Sequence, residues 1–165
     1  KIRRYGIATW NGFRQKFGQK GTLQLSKILE CAREAGGEKH HFKAIQLPYN
    51  LVMLEALHQK NQILGNAKKT ILQAAHEQGI SVMVSAPLMQ SRVGQLCKKV
   101  FEELPPGDSR MLQSLEFVLS TPEICTAFCG MKQAQHFIEN QKVLTGPTWT
   151  SPIWLRAAKS LGIAL

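Results

Sequence analysis

Four short apolar runs with β-type composition recur along this chain, and a longer segment with helical spacing follows each of them. The runs are Arg4–Ala8, Phe42–Leu47, Ile80–Ser85 and Ile124–Cys129, and their starts lie roughly 40 residues apart. A strand followed by a helix at this spacing predicts right-handed βαβ crossovers and a parallel sheet. Eight such units make a barrel of about 250 residues, so four make half of one. The predicted fold is therefore α/β, a parallel (β/α)4 half of a TIM (β/α)8 barrel plus a C-terminal helix.

The segments between the runs carry apolar residues three and four apart and end at helix-breaking residues. Asp108 is predicted to cap one helix, and Ser151–Pro152 is a typical helix start. In the helix after the fourth run, Phe137 and Ile138 are expected to face inward. No Gly-x-Gly-x-x-Gly sequence follows any run, which argues against a Rossmann dinucleotide site. The predicted helices are Thr22–Ala35, Thr70–Gln78, Gln95–Leu104, Ser109–Ser120, Lys132–Asn140 and Pro152–Leu161.

Length and composition place the chain among globular proteins. It has 165 residues, of which 44% are hydrophobic and 19% charged, enough for one domain with a substantial core. No apolar run approaches the roughly 20 residues of a membrane helix, and the chain does not open with a secretory signal pattern. We expect a cytoplasmic protein whose four cysteines (Cys31, Cys97, Cys125 and Cys129) are reduced and buried. His76 lacks the second histidine of a zinc-protease helix, and no metal site is predicted.

The formal net charge is +10, and the positive charge is concentrated near the start of the chain. Seven basic residues precede the first acid, Glu30. Such an excess either forms a solvated basic face or attracts the phosphates of nucleic acid, anionic lipid or a phosphorylated cofactor. The sequence contains no aromatic ribonucleoprotein motif and no zinc-finger spacing, so a dedicated nucleic-acid module is not indicated.

Four motifs in order carry a resemblance to a known family. They are Tyr5–Trp10, Ile45–Asn50, Val84–Leu88, and Cys129–Gly130 followed by Glu139–Asn140. Together they resemble the C-terminal half of the aldo-keto reductases, (β/α)8 barrel enzymes that reduce carbonyls with NADPH. The resemblance makes the four runs the fifth to eighth strands of that barrel. It predicts a half-barrel over residues 1–145 and a C-terminal helical tail over residues 146–165.

The resemblance implies a nicotinamide site on the first three strands. Gln46 matches the glutamine that hydrogen-bonds the carboxamide, for which an amide suits because it both donates and accepts. Ala8 and Thr9 match a Ser-Asn pair that holds the same group, and Ala8 has no side chain able to do so. Ser85 stands where many members have a tyrosine that stacks on the nicotinamide ring.

The same resemblance implies that the loop after the third run wraps the pyrophosphate. Pro87, Leu88 and the following residues Met89–Arg92 match that loop, which uses mostly backbone N–H groups. Arg92 adds a positive charge there.

The adenosine end of the cofactor is matched after the fourth run. Lys132, two residues after Gly130, matches the basic position that meets the 2′-phosphate of NADP. At a helix start a cation is unfavourable without such a phosphate. Glu139 and Asn140 match the adenine-binding pair. His136 occupies a position where the family often has Arg or Gln near the adenosine phosphate. NADP is the predicted cofactor.

The catalytic residues of the family are missing from this chain. Its chemistry needs a tyrosine acid, a lysine that lowers the tyrosine pKa, an aspartate and a histidine. The single aspartate is Asp108, in a turn, and the two tyrosines, Tyr5 and Tyr49, do not occur in the family's Asp-x-x-x-x-Tyr pattern. The chain alone is predicted to be inactive.

Three interpretations stay open. The chain is the cofactor-binding half of a longer aldo-keto reductase, or a self-associating half-barrel that binds NADP(H) or another phosphate compound, or a basic domain that contacts nucleic acid. Two open sheet edges and an apolar concave face predict association, with the missing N-terminal half-barrel or with a second copy. No membrane partner is expected. Only Trp10, Tyr49, Trp149 and Trp154 are expected to reach a substrate.

Overall fold

A four-stranded parallel sheet forms the centre of the molecule. The structure is a computed structural model that describes residues 2–96, 98–146 and 149–163. The strands are β1 (Tyr5–Ala8), β2 (Phe42–Pro48), β5 (Ser81–Ser85) and β6 (Ile124–Ala127), in the spatial order β1-β2-β5-β6. All three pairings are parallel. Each strand coincides with one predicted run to within one or two residues, so the predicted parallel α/β sheet is confirmed.

Helices connect these strands, and a short antiparallel hairpin adds a second sheet. The hairpin consists of β3 (Gln62–Leu64) and β4 (Ala67–Lys69). The helices are α1 (Leu25–Gly36), α2 (Glu55–His58), α3 (Ile71–Glu77), α4 (Val93–Leu96), α5 (Lys98–Glu103), α6 (Arg110–Ser120), α7 (Ala134–Asn140), α8 (Lys142–Thr145) and α9 (Ser151–Ser160).

The predicted cap of one helix differs from the structure. The segment predicted as a helix over Gln95–Leu104 contains α4 and α5, and Cys97 between them lies outside the described residues. The cap of α6 is Ser109 rather than Asp108: the Ser109 hydroxyl accepts from the Leu112 N–H at 3.2 Å. The predicted Asp108 cap is therefore wrong by one residue.

One face of the parallel sheet builds the hydrophobic core. Ile45, Leu47, Val82 and Val84 are at most 1% exposed and belong to the same cluster as buried side chains of α1, α3 and α6. Fully burying a side chain of this size contributes about 1.5–3 kcal/mol. The alternation of these residues along β2 and β5 therefore fixes which face of the sheet carries the helices.

The opposite face of the sheet carries mostly small side chains, some apolar and some polar. We call it the inner face, and its members come from two rows of neighbouring residues: Gly6, Ala44 and Ser81, then Ala8, Gln46, Met83 and Thr126. It lines an open cleft of about 340 Å³, and Arg4 and Lys43 also line this cleft near the amino ends of the strands. β1 and β6 are the two edges of the sheet.

Gly6 is required by the close approach of β1 to β2. A Cβ atom at this position would lie 2.0 Å from the Ala44 carbonyl oxygen. The strand register also shifts between Tyr5 and Gly6, as at a β-bulge. Only glycine fits this point of the sheet.

The hairpin holds the long loop after β1 in place. The Gln62 Oε1 atom accepts from the Leu25 N–H at 2.9 Å. This side chain therefore provides a hydrogen-bond acceptor for a backbone N–H in the first turn of α1, which has no partner within the helix. The Asn61 amide donates to the carbonyls of Phe13 and Gln15 at 2.7 and 2.8 Å. Both side chains are buried, and they tie loop 9–24 to the hairpin.

The C-terminal segment packs on α6. Trp154 of α9 stacks on Phe117 with 6.2 Å between ring centres, and its indole N–H donates to the Thr121 hydroxyl at 3.0 Å. The Tyr49 hydroxyl lies 3.1 Å from the same Thr121 oxygen. Tyr49, Trp149 and Trp154 are all buried. The expectation that these three aromatic residues reach a substrate is wrong, because they are core residues.

Several side chains predicted to be buried are exposed. Cys31 and Cys125 are exposed and Cys129 is half-buried, and all three are free thiols. Cys31 lies outside the buried stripe of α1, which explains the error. Phe137 and Ile138 are 55% and 49% exposed, and no other residue of α7 is buried either.

Two further findings concern membranes and metals. No helix in the described part of the chain is long and apolar enough to cross a membrane. Residues 2–96, 98–146 and 149–163 also contain no group of three or more metal-ligating side chains placed to hold an ion.

Candidate cofactor site at the carboxyl edge of the sheet

All four parallel strands end at the same side of the sheet, and several of the predicted site residues lie at or directly after these carboxyl ends. Thr9 follows β1 directly, Gln46 lies near the end of β2, and Ser85 ends β5. The remaining predicted residues occupy the segments after β5 and β6. In closed barrels of parallel strands the active site forms at this edge, because the connecting loops converge there.

Gln46 presents a free amide between two neighbouring strands. It pairs with Ala8 on one side and Met83 on the other, and its side chain is half-buried. No hydrogen bond of the Gln46 amide occurs with any described residue. The group is therefore held in position by the sheet while both its donor and its acceptor stay available.

Thr9 lies beside Gln46 but already uses part of its hydroxyl. Its backbone N–H donates to the Gln46 carbonyl at 3.0 Å, and its Oγ1 accepts from the Gly12 N–H at 2.9 Å. The hydroxyl hydrogen of Thr9 remains free to donate. Ala8, the neighbour that the resemblance compares with a serine, has no polar side chain.

The loop after β5 has an unusual backbone. Ala86, Met89, Gln90 and Ser91 have φ angles of +53°, +46°, +55° and +65°. Such values cost about 1–3 kcal/mol each for residues other than glycine, and they cluster at ligand sites. The backbone N–H groups of Leu88, Gln90 and Ser91 have no acceptor among the described residues. The free N–H groups of Gln90 and Ser91 are consecutive, and such neighbouring groups form a concave surface that suits an anion.

Asn50 holds this loop, and sequence reasoning assigned it no role. Its amide donates to the Ala86 carbonyl at 2.9 Å, while its Oδ1 accepts from the N–H groups of Val52 and Met53, both at 2.9 Å. The side chain is fully buried. The available signal was an asparagine two residues after a strand, where it commonly bonds to nearby backbone.

The segment after β6 carries the remaining predicted residues. The Phe128 N–H donates to the Val84 carbonyl at 2.8 Å, so this segment leaves the sheet beside the end of β5. Lys132 is exposed and makes no ion pair within the described residues. It precedes α7, which begins at Ala134, so it lies outside the helix in whose first turn the sequence placed it.

His136, Glu139 and Asn140 follow on α7 itself. His136 is exposed, while Glu139 and Asn140 are half-buried. Positions three and four apart share one helical face, so the three side chains are neighbours. No hydrogen bond joins them to loop 86–92 in the described part of the chain, and Gly130 and Arg92 are exposed on either side.

The solved structures most similar in fold include two aldo-keto reductases. The holo form of aldo-keto reductase AKR11C1 from Bacillus halodurans superposes with a TM-score of 0.62 at 17% identity, over 96% of this chain and 50% of that one. The thermostable aldo-keto reductase Tm1743, in complex with the inhibitor epalrestat, gives a TM-score of 0.57 at 18% identity, over 82% of this chain and 45% of that one. The chain has an aldo-keto-reductase-like fold.

The apo form of AKR11C1 gives the same result, with a TM-score of 0.55 at 13% identity over 95% of this chain and 62% of that one. The chain thus spans about half the length of the aldo-keto reductases that it matches. The predicted half of a (β/α)8 barrel is confirmed at the level of fold. No protein-family model matches the sequence, and no curated protein matches it.

The two tyrosines of this aldo-keto-reductase-like half-barrel lie at opposite ends of the parallel strands. Tyr5 is the first residue of β1, at the opposite edge of the sheet, and packs edge-on against Phe42. Tyr49 is buried, and burial raises the pKa of its phenol despite the opposing effect of the Thr121 hydrogen bond. Asp108 is exposed and accepts from the Lys142 ammonium at 3.1 Å.

Proposed function

We propose that this chain is the NADP(H)-binding half of an aldo-keto-reductase-like barrel and that it lacks the catalytic Asp/Tyr/Lys/His tetrad. The observation that supports the proposal is that a free amide, free backbone N–H groups and a cation with no ion pair among the described residues all lie at or after the carboxyl ends of strands in one sheet. The complete barrel would reduce aldehydes or ketones with NADPH. The bound nicotinamide supplies the hydride, and this half supplies the groups that hold it.

The nicotinamide end of the cofactor fits the free groups on β1, β2 and β5. The Gln46 amide donates to the carboxamide oxygen and accepts from its NH2 group. The hydroxyls of Thr9 and Ser85 lie at the same edge and add two donors. Because Ala8 and Ser85 replace larger polar or aromatic groups, Gln46 is the main anchor at this end.

The phosphate groups fit the loop after β5 and the segment after β6. The N–H groups of Leu88, Gln90 and Ser91 bind the pyrophosphate, the ring of Pro87 shapes the loop, and Arg92 adds charge. Lys132, just beyond Gly130, meets the 2′-phosphate.

The adenosine fits α7. Glu139 accepts from the adenine amino group, Asn140 donates to a ring nitrogen, and His136 lies toward the adenosine phosphate. These three side chains share one face of the helix, and none of them has a hydrogen-bond partner elsewhere in the described part of the chain.

The proposal includes the role of the chain in a larger assembly. Residues 1–145 form the cofactor-binding half-barrel and residues 146–165 the helical tail. The chain is a fragment of a cytoplasmic oxidoreductase, and a second half-barrel completes it. Without that half the chain binds cofactor and performs no reduction.

Isothermal titration calorimetry with NADPH and NADH tests the cofactor assignment. The chain should bind NADPH about 10–100-fold more tightly, because a charged hydrogen bond to the extra phosphate contributes about 1.5–3 kcal/mol. Lys132→Met should remove this preference. Lys39→Met, which removes an exposed lysine before β2 at the opposite edge, is the matched control and should preserve it. Equal affinities for the two nucleotides, or no binding of either, would contradict the proposal.

A further inference from the structure

Two segments that lie far apart in the sequence form one strongly basic surface. Loop 9–24 contains three basic residues and no acid, and residues 55–69 contain three more basic residues and one acid. Hydrogen bonds join the two segments, since the Asn61 amide donates to the Phe13 and Gln15 carbonyls. No local motif marks this surface in the sequence, because its two halves meet only in the fold.

Four of the six cations on this surface have no ion-pair partner among the described residues. They are Lys16, Lys20, Lys60 and Lys68, and all four are exposed. The remaining two are neutralised. Arg14 pairs with Glu55 at 2.5 Å, and Lys69 pairs with Glu77. Unpaired like charges on one ordered surface repel each other, and a bound anion with several charges would relieve that repulsion.

The turn that carries Lys16 and Lys20 is held by its own hydrogen bonds. The Lys16 N–H donates to the Gln19 Oε1 atom at 3.0 Å, and the Thr22 hydroxyl donates to the Lys16 carbonyl at 2.9 Å. Gly18 has a φ angle of +81°, which glycine adopts at no steric cost. The backbone that carries these cations is therefore ordered before any ligand binds, which reduces the entropy lost on binding.

An exposed aromatic ring lies among the unpaired cations. Phe17, next to Lys16, is 49% exposed, and the Lys68 ammonium lies 5.6 Å from its ring centre. Because Lys68 belongs to β4, this contact joins loop 9–24 to the hairpin and places a ring beside a cation. Surfaces that bind single-stranded nucleic acid combine these two features, since bases stack on the rings and phosphates bind the cations.

The groups that remain free favour phosphates over the carboxylates of an acidic peptide. Arg14 has the planar guanidinium that suits a carboxylate, but Glu55 already occupies it. The free cations are lysine ammoniums, which bind phosphates as point charges.

The same contacts disfavour a membrane surface as the partner. Insertion of the Phe17 ring into a bilayer would take the Lys68 ammonium with it, because the two groups lie against each other. A charge inside the hydrocarbon region is costly.

We propose that the basic surface, formed by Lys16, Lys20, Lys60, Lys68 and Phe17, binds single-stranded nucleic acid. The four ammoniums bind phosphates of the strand, and one base stacks on the Phe17 ring. Every base has a face that can stack, so binding does not depend on a particular sequence. None of these five residues belongs to the proposed cofactor site, and the two proposals are independent.

Fluorescence anisotropy with a labelled oligothymidylate of about 20 nucleotides tests the proposal, without NADP(H) in the assay. The logarithm of the binding constant should fall with the logarithm of the salt concentration with a slope of about −3, because each phosphate contact on a single strand contributes about −0.7. Lys16→Gln/Lys20→Gln/Lys60→Gln/Lys68→Gln should weaken binding more than about 10-fold and remove most of the slope. Each single Lys→Gln variant should reduce the slope by about 0.7, which keeps the test valid if the quadruple variant does not fold.

A matched control separates a local site from the net charge of the chain. Arg33→Gln/Lys39→Gln/Arg156→Gln/Lys159→Gln removes the same charge from exposed positions elsewhere and should preserve the slope. Equal weakening in the two quadruple variants would overturn the proposal, since net charge alone would then drive binding.

Phe17→Leu tests the stacked base. It should weaken binding of oligothymidylate about 5–100-fold and leave binding of an abasic strand of the same length unchanged. Phe128→Leu is the control, because the Phe128 ring is also 49% exposed, and it should bind both strands like wild type.

Three further outcomes would contradict the proposal. One is no binding of oligothymidylate by the wild-type chain. Another is a Phe17→Leu variant that binds both strands like wild type. The third is tighter binding, through the same four lysines, of polyglutamate or of vesicles made from equal parts of phosphatidylcholine and phosphatidylserine, which would identify an acidic peptide or a membrane as the partner.

Discussion

Tyr49 follows β2 at the carboxyl end of the sheet, where the proposed cofactor residues lie, yet its ring is fully buried. The phenol stacks on Phe117 with 6.1 Å between ring centres and bonds to Thr121, which also accepts from Trp154. Tyr49, which its sequence motif suggested as a site residue, therefore connects the sheet to α6 and α9.

This burial predicts a stability change at alkaline pH. The unfolded chain ionises Tyr49 near pH 10, whereas the folded chain keeps it protonated because burial raises its pKa. The unfolded state therefore binds fewer protons above that pH, and the free energy of unfolding falls as pH rises, by up to about 1.4 kcal/mol per unit. Tyr49→Phe should remove this contribution, measured by urea unfolding at about pH 8 and about pH 11.

Tyr49→Phe should also lower the free energy of unfolding by about 1 kcal/mol at neutral pH, because its hydrogen bond to Thr121 is lost. Tyr5→Phe is the matched control, because its ring is 47% exposed and its hydroxyl has no partner among the described residues. An alkaline slope that is the same in wild type and Tyr49→Phe would contradict the argument.

The sequence was sufficient to place Gln46 and Ser85 but not to find Asn50. A strand end can be read from the apolar pattern, and the carboxyl ends of parallel strands meet by geometry alone. Asn50 acts through a hydrogen bond to Ala86, 36 positions away, and that pairing exists only once β2 and β5 are neighbours. The positive φ angles of loop 86–92 could not be predicted from the sequence either, because none of the four residues that adopt them is a glycine.

At the scale of elements, the β3–β4 hairpin replaces a cap that α1 lacks in its own sequence. Gln24 at the N-cap position makes no side-chain cap bond, and the Leu25 N–H donates to Gln62 instead. The Gln62 amide also donates to the Leu23 carbonyl at 3.1 Å. A helix start is thereby fixed by a residue 37 positions later.

Gln62→Leu should lower the free energy of unfolding by about 2–4 kcal/mol, because it leaves a buried N–H and a buried carbonyl without partners. Loop 9–24 should also be cleaved faster by trypsin at Arg14, Lys16 and Lys20. Gln95→Leu is the control: this glutamine is exposed on α4, and its change should stay within about 0.5 kcal/mol. Equal stability and equal cleavage in the two variants would show that the hairpin does not hold the loop.

The elements that the sequence predicted well are those with a strong local pattern. β2 and β5 alternate between the core and the inner face, and the stripe of Leu25, Leu29 and Ala32 fixes α1. The hairpin has three-residue strands and was missed. The inward face predicted for α7 was wrong, because none of its side chains is buried against the described part of the chain.

At the scale of the whole molecule, the number of strand–helix units was sufficient to predict the half-barrel, because each unit adds one parallel strand to the same sheet. The composition of the inner face was harder to predict. The apolar pattern shows which residues of a strand leave the core, but not which of them become neighbours across strands, as Gly6, Ala44 and Ser81 do.

The proposed function also predicts what the isolated chain does with NADPH. It should bind the nucleotide in calorimetry and yet give no aldehyde-dependent loss of dihydronicotinamide absorbance. A positioned general acid contributes about 10²–10⁴-fold, and under the proposal neither Tyr5 nor Tyr49 supplies one. Gln46→Leu separates the two parts of this prediction, since it should weaken binding of NADPH while turnover stays at the level of buffer. A rate that scales with the concentration of pure wild-type chain and falls in Gln46→Leu would mean that this half carries a proton donor of its own.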